Sequence, residues 1–232
     1  MSWELLLKRA YVPYSKNPRS CVIEGESGDQ YLGVRIENVS FPLTISAIQA
    51  ACFSCLSEGD TPKILYVQNE DYDQLSYWQK EFNLTLNVVE SPPSIHFKPL
   101  IHSEKVNELA RLKELLSKAI TTHSDFPVSA LLFCESGYVE GVNIEVSDWS
   151  LGLCAERVAL AKAFSSGETT FREIAVHTKY GDVSSPCGAC RQVIFEHLPL
   201  NKIRMHHADE TLSEHYSVDL LPFSFTSKSL KK

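Results

Sequence analysis

The sequence predicts an α/β protein made of two copies of one sandwich, each a mixed sheet with helices packed on it. Three observations lead there: an ungapped internal repeat, the order of apolar patterns within a copy, and a proline-broken junction. The stretch from Gly33 to Ala47 aligns with that from Gly141 to Ala155 at a constant offset of 108 residues (141 − 33 and 155 − 47). A repeat of that period names the architectural unit before any single element does. Upstream, Asn17-Pro18-Arg19-Ser20 aligns with Phe126-Pro127-Val128-Ser129 at an offset of 109 (126 − 17). The offset is still 109 at a shared turn, Glu26-Ser27-Gly28 and Glu135-Ser136-Gly137 (135 − 26), so one residue is lost just after it, where a loop tolerates the change. The copies join near Ser91-Pro92-Pro93-Ser94, whose prolines interrupt regular structure, which places one domain at residues 1–98 and the other at 99–232.

Each element follows from its own pattern, seen best in the second copy. From Val106 to Ile120, Leu109, Leu112, Leu115, Leu116 and Ala119 recur at spacings of three and four, which predicts a helix. Val128 to Cys134 is an apolar run, Glu135-Ser136-Gly137 turns it, and Tyr138 to Ile144 returns as the second strand of a hairpin. A helix follows at Cys154 to Phe164, then a strand at Glu173 to Thr178 and a second helix beginning near Cys187. Helices interleaved with strands in this order make an α/β sandwich; periodicity alone leaves the strand order open.

Composition narrows the function classes. With 44% apolar and 22% charged residues, the chain has the material for buried cores and no case for disorder. A net charge of −7 disfavours an extended polynucleotide as partner. No apolar run reaches the roughly 18 residues that cross a bilayer, and Met1 to Arg9 lacks the features of a signal peptide, so the cytoplasm is the expected address and no membrane partner is expected. Seven cysteines, an odd number, point to reduced thiols with metal or catalytic roles.

Cys154-Ala155-Glu156 together with Pro186-Cys187-Gly188-Ala189-Cys190 carry the chemistry. If Cys187 starts a helix, Cys187 and Cys190 share one face and can meet one metal ion, with Cys154 arriving from the start of the other helix. Three thiolates leave a tetrahedral zinc position open for water, whereas a structural site normally closes with four ligands. Glu156, two residues from a ligand, is a natural proton carrier. Arg157 and Arg191 are placed to donate to the thiolates and offset their excess charge, although surface arginines on helices read the same way. Cys52-Phe53-Ser54-Cys55 has the same spacing without a third ligand or an acid, and is read as part of a helix.

At these residues the chain resembles the cytidine deaminases, specifically the small homotetrameric type whose first ligand is Cys rather than His. The strings Cys154-Ala155-Glu156-Arg157 and Ser185-Pro186-Cys187-Gly188-Ala189-Cys190-Arg191-Gln192 are specific to that family, and the resemblance covers about Leu115 to Phe225, more faintly Leu5 to Leu84. It implies two α/β/α sandwich domains of about five strands each, and one zinc per chain, held in the second domain. It also implies hydrolytic deamination of cytidine and deoxycytidine with release of ammonia, in pyrimidine salvage. Carried over residue by residue, Asn143 and Glu145 would grip the ribose hydroxyls and Phe126 would pack on the pyrimidine. The backbone at Ala155 and Ser185 would read the amide edge of the base, and Phe225 would reach a base in a neighbouring subunit. A polar hairpin end is the competing reading of the Asn-x-Glu pair, and a core aromatic that of Phe126.

The first copy departs from the pattern at every chemical position. Ser46 and Ile48 stand where Cys154 and Glu156 stand, Arg35 replaces Asn143, Asn17 replaces Phe126, and Asp73 to Tyr77 hold no Cys-x-x-Cys. It is read as degenerate and non-catalytic. Yet it carries Tyr11-Val12-Pro13-Tyr14-Ser15, a family string that is Ile120-Thr121-Thr122-His123-Ser124 in the second copy. The expected assembly is a homodimer resembling a tetramer of single domains. Val146 and Asp148-Trp149 depart from the family near the sugar end, which leaves the ribose preference open. The alternatives are deamination of another small aminopyrimidine nucleoside, and a non-catalytic zinc-containing scaffold.

Overall fold

The computed structural model describes residues 2–93 and 97–230, so Met1 and, of the junction, Ser94 lie outside the described residues. The first copy runs α1 (Trp3–Leu7), β1 (Ser20–Gly25), β2 (Gln30–Val34), α2 (Ala47–Ser57), β3 (Pro62–Val67), α3 (Leu75–Phe82) and β4 (Thr85–Val88). The chain then forms β5 (Ile101–His102), α4 (Glu108–Leu115), β6 (Val128–Cys134), β7 (Tyr138–Val142) and α5 (Ala155–Ser166). It ends with β8 (Phe171–Thr178), α6 (Gly188–His197), β9 (Lys202–His206), β10 (Leu212–Tyr216) and α7 (Ser217–Leu220). The helix expected over Val106 to Ile120 is shorter: Asn107 caps α4 by accepting the Ala110 amide, Leu116–Lys118 tightens to a 3-10 turn, and Ala119 is already extended.

Two mixed sheets result, ordered β2-β1-β3-β4 and β10-β9-β8-β6-β7-β5. The hairpins β1–β2 and β6–β7 are antiparallel, while β3–β4 and β8–β9 are parallel. Parallel neighbours need a crossover, which α3 and α6 supply. Four and six strands stand where about five were expected in each. After β4 the first copy runs into the junction and has no counterpart of β10, and the second copy gains β5 where Ile101 and His102 pair with Val139 and Tyr138. Among the described residues, no helix is long and apolar enough to cross a membrane.

The core is centred on α2 and α5. Every residue of α2 except Leu56 is buried, and so is every residue of α5 from Ala155 to Ser165. A helix buried all round must have partners on all sides: α2 and α5 pack on their own sheets and on each other. Close approach is paid for with glycine, since a Cβ at Gly33 would lie 2.0 Å from the Ala47 carbonyl oxygen and one at Gly141 would lie 2.2 Å from that of Ala155. Lys162 on α5 is fully buried and survives there by pairing with Glu58 at the end of α2. Between the copies, Gln49 Nε2 donates to Leu151 O at 2.7 Å and Arg157 Nη2 to Leu43 O at 3.0 Å. The repeat offset of 108 relates Gln49 to Arg157 and Leu43 to Leu151, so the two domains face each other about a pseudo-twofold axis.

Candidate metal centre and cavity

Two helix starts meet at the site. Cys154 is the N-cap of α5 and Cys187 the N-cap of α6, both extended at ψ 159° and 168°, and neither helix has a side-chain cap. The sulfurs therefore sit where free helix amides point, a position that favours the thiolate. Cys190 lies on the first turn of α6 and is fully buried. The sulfurs of Cys154, Cys187 and Cys190 all lie within 4.8 Å of one another, with Cys154 and Cys187 at 3.7 Å. Hydrogen bonds from Cys154 and Cys190, and from the Ala189 and Cys190 amides, hold the Cys187 thiol far below its ordinary pKa; the Cys154 and Cys190 thiols are pushed up. This donor set fits zinc with one position open.

Glu156, on the first turn of α5, is 2% exposed, and its Oε2 has no hydrogen-bond partner among the described residues. A buried carboxylate oxygen without a partner is costly and marks a group waiting for one. Burial first, and then the charge of Cys187, pushes the Glu156 carboxyl up to about 7. At that value it can both accept and return a proton near neutrality.

A cavity of about 470 Å³ opens above these groups. Cys154, Cys187, Glu156 and Leu153 line its floor, with Phe126, Asn143, Glu145, Trp149 and Ser185 around it. Asn143 is fixed by accepting the Val128 amide at 2.7 Å and donating to Phe126 O at 3.0 Å, which leaves one lone pair and one N–H free. Glu145 accepts from the His123 and Ser124 amides and from the Ser124 hydroxyl. Burial pushes its carboxyl up, but these donors outweigh it and hold the group below the ordinary carboxylate range. The Phe126 ring is 38% exposed, 6.4 Å from that of Tyr180.

The other expected residues divide. Ser185 lines the cavity and accepts from Arg191, while Ala155 is buried as the first residue of α5. Phe225 is 47% exposed and is not among the residues lining the cavity of its own chain; its carbonyl accepts from Gln192. Among the described residues, the hydrogen bonds of Arg157 and Arg191 go to oxygen, and Arg157 Nε is buried without a partner. Arg157 donates to Leu43 O across the pseudo-twofold, and Arg191 ties Pro186 O, Ser185 Oγ and Leu220 O, bracing the loop that leads into Cys187. Sequence reasoning missed Ser124, Val176 and Thr178 in the lining, while Trp149, placed near the sugar end, lies in it. The repeat pairs Ser124 with Ser15 and Glu145 with Glu37, a signal that could have found the first of them.

The chain is similar in sequence to proteins of one family. The family model described as the cytidine and deoxycytidylate deaminase zinc-binding region matches residues 102–205, and a second model of the same description matches residues 6–68. A cytidine deaminase of Halalkalibacterium halodurans is 38% identical over 114 residues, 48% of this chain and 86% of that protein. One of Sporosarcina psychrophila is 45% identical over 89 residues, covering 38% of this chain and 65% of that protein's length. A crystal structure of cytidine deaminase from Burkholderia pseudomallei, 31% identical, covers 52% of this chain and 100% of its own at a TM-score of 0.49. With one zinc-binding-region match in each copy and 86% of a relative spanned at 38% identity, the chain belongs to the cytidine and deoxycytidylate deaminase family of enzymes.

Proposed function

We propose that the second domain, residues 99–232, hydrolytically deaminates cytidine and deoxycytidine to uridine and deoxyuridine, and that the first, residues 1–98, is non-catalytic. One observation carries this reading: three converging thiols and, lining a nucleoside-sized cavity, a buried carboxylate with one unpartnered oxygen. Cys154, Cys187 and Cys190 would hold one zinc per chain. When bound, zinc supplies a Lewis acid that makes water nucleophilic near neutral pH.

The rest is the work of this chain's side chains. Glu156 accepts a proton from the attacking water and delivers it to the ring nitrogen of the cytosine. That transfer accompanies formation of the C4–O bond; Glu156 then takes the remaining proton from the C4 hydroxyl and passes it to the exocyclic amine, so that the C4–N bond breaks, C4 becomes a carbonyl and ammonia departs. Asn143 and Glu145 hold the ribose hydroxyls, and the ionised Glu145 accepts from them. Phe126 packs on the base, whose amide edge meets the backbone at Ala155 and Ser185. Phe225, which does not line the cavity of its own chain, would reach the base in a neighbouring chain of a homodimer; the reaction belongs to pyrimidine salvage in the cytoplasm.

Incubating zinc-loaded protein with cytidine and deoxycytidine, and following the loss of cytosine absorbance, tests this beside the Glu156→Gln variant. Turnover by the wild type, reduced at least about a hundredfold in the variant with zinc retained, is expected. A fully loaded wild type that turns over neither nucleoside would refute it. Light scattering showing a fully active monomer would refute the homodimer.

A further inference from the structure

The string Tyr11-Val12-Pro13-Tyr14-Ser15 belongs to the copy without thiol ligands, and no role assigned so far uses its tyrosines. Both hydroxyls cross to the other domain. Tyr11 donates to Glu196 Oε1 at 3.1 Å, Tyr14 to the same oxygen at 2.8 Å, and the Val39 amide to Oε2 at 2.7 Å. Glu196 stands one residue before the end of α6, the helix whose beginning carries Cys187 and Cys190. The Tyr11 ring packs edge-on against His197 at 4.9 Å and lies 5.5 Å from Phe164 of α5. Burial, and then the Glu196 carboxylate, push both hydroxyls up in pKa, so they remain donors.

The pseudo-twofold produces a second contact with a different cargo. Ser147 is related to Val39 by the offset of 108. Its amide donates to Glu81 Oε1 of α3 at 2.8 Å and its hydroxyl to the other oxygen, while the Asp148 amide donates to the Tyr77 hydroxyl at 3.2 Å. Ser147 and Asp148 lie between Glu145 and Trp149, both of which line the cavity. In the first contact the degenerate copy holds the far end of the ligand helix; in the second it holds the loop on the cavity's sugar side. The reverse grip has no tyrosines, because Ile120 and His123 stand at those positions, and the His123 ring turns to Val146 O within its own domain.

We propose that the degenerate domain positions the site at two separable points: Tyr11, Tyr14 and the Val39 amide fix the ligand helix through Glu196, and Tyr77 and Glu81 fix the sugar-side loop through Ser147 and Asp148. The inference rests on Cys154, Cys187 and Cys190 being the zinc ligands. Core packing of Val193 and Ile194 holds the middle of α6, but its last turn carries the polar tether to the first copy, and ligand geometry tolerates about 0.5 Å. Holding α6 at that end keeps its first turn within that tolerance. These are positioning residues, since none of them touches the thiols or lines the catalytic cavity among the described residues.

The test uses the full-length, zinc-loaded chain and two matched sets of variants. Tyr11→Phe/Tyr14→Phe and Glu196→Gln break the first contact, with Tyr14→Phe alone as the milder version should either fold poorly. Tyr77→Phe and Glu81→Gln break the second. Zinc release to an excess of chromogenic chelator, thermal midpoint, and kcat and KM for cytidine are measured for each. The first set is expected to release zinc severalfold faster, less than the roughly ten- to hundredfold seen for groups bonded directly to a ligand, with KM within about twofold of wild type. The second set is expected to release zinc at the wild-type rate and to raise KM severalfold at unchanged kcat. Equal losses in thermal midpoint with unaltered zinc release and KM in both sets would reduce both contacts to general packing and overturn the proposal. Should the wild type hold zinc and turn over neither nucleoside, the deaminase reading falls while the zinc-release comparison still decides the helix contact. Turnover with identical release rates in all variants would overturn the helix contact alone.

Discussion

The two domains keep one frame and fill it with different chemistry. Glu37 accepts from the Tyr14 and Ser15 amides and the Ser15 hydroxyl, as Glu145 does from His123 and Ser124, residue for residue. Bridges Tyr11–Ile36 and Ile36–Ile45 recur as Ile120–Ile144 and Ile144–Leu153. The difference begins at the helix start. Ser46 closes a capping box with Gln49, accepting its amide at 3.2 Å, at the place where Cys154 leaves α5 without a side-chain cap. Ile48 fills the position of Glu156 and is fully buried, so an apolar side chain replaces an unpartnered carboxylate. Arg35, in place of Asn143, pairs with Glu37 and Asp73. Each substitution satisfies locally a group that the second domain leaves open. Frame and chemistry are therefore separable: strand–helix spacing and the glutamate loop set the fold, while a handful of side chains set the activity, at some cost in stability.

That separation can be broken most decisively at the metal. Cys154→Ser is expected to lower zinc content from one per chain to near zero by atomic absorption, whereas Cys52→Ser leaves it unchanged. Conversely, Ser46→Cys with Ile48→Glu should add no second zinc, because Gln74 caps α3 where Cys187 caps α6 and Tyr77 stands where Cys190 does. A second equivalent of zinc would show the first domain to be closer to function than its sequence suggests.

A smaller but still large effect is expected where the domains share a buried charge. Lys162→Met strands Glu58 and should cost about 3–5 kcal/mol in urea unfolding. Burial raises the Glu58 carboxyl, but Lys162 outweighs it and the net shift is downward from 4.5. The folded pKa therefore lies below the unfolded one, so the stabilisation is complete above about pH 4.5 and lost as pH falls through the lower folded value. Unfolding curves across acid pH should show that loss in the wild type and not in Lys162→Met.

Gly33→Ala and Gly141→Ala test whether the frames are mechanically equal. Each places a Cβ against a helix carbonyl and should cost about 1–3 kcal/mol; a cost confined to one domain would mean that the other can relax. The smallest effect sharpens the comparison at the cap. Ser46→Ala should cost about 1 kcal/mol, whereas Cys154→Ala in metal-free protein, having no cap to lose, should cost less.

Much of this was legible in the sequence because it depends on local spacing. Cys187 and Cys190 share a helical turn, and the repeat aligns Gly33 with Gly141 and Ser46 with Cys154, so the two-domain plan and the thiol cluster follow without coordinates. Strand number was less legible: β5 forms only because the junction reaches the hairpin edge, a tertiary event with no periodic signature. Arg157 also resists sequence reasoning, because its partner Leu43 lies in the other domain and only the packed interface brings them together. The same holds for Tyr11 and Tyr14, conspicuous as a string but silent about Glu196, 182 residues beyond Tyr14.

The burial of α5 on every side has a consequence for assembly. Its outward face is covered by α2, which is part of the same chain, so the pairing of the two domains is an intramolecular event. Joining two modules in one chain turns their association into an intramolecular step that does not depend on protein concentration. Dilution therefore leaves the paired domains intact, and protein concentration can govern only the association of one whole chain with another.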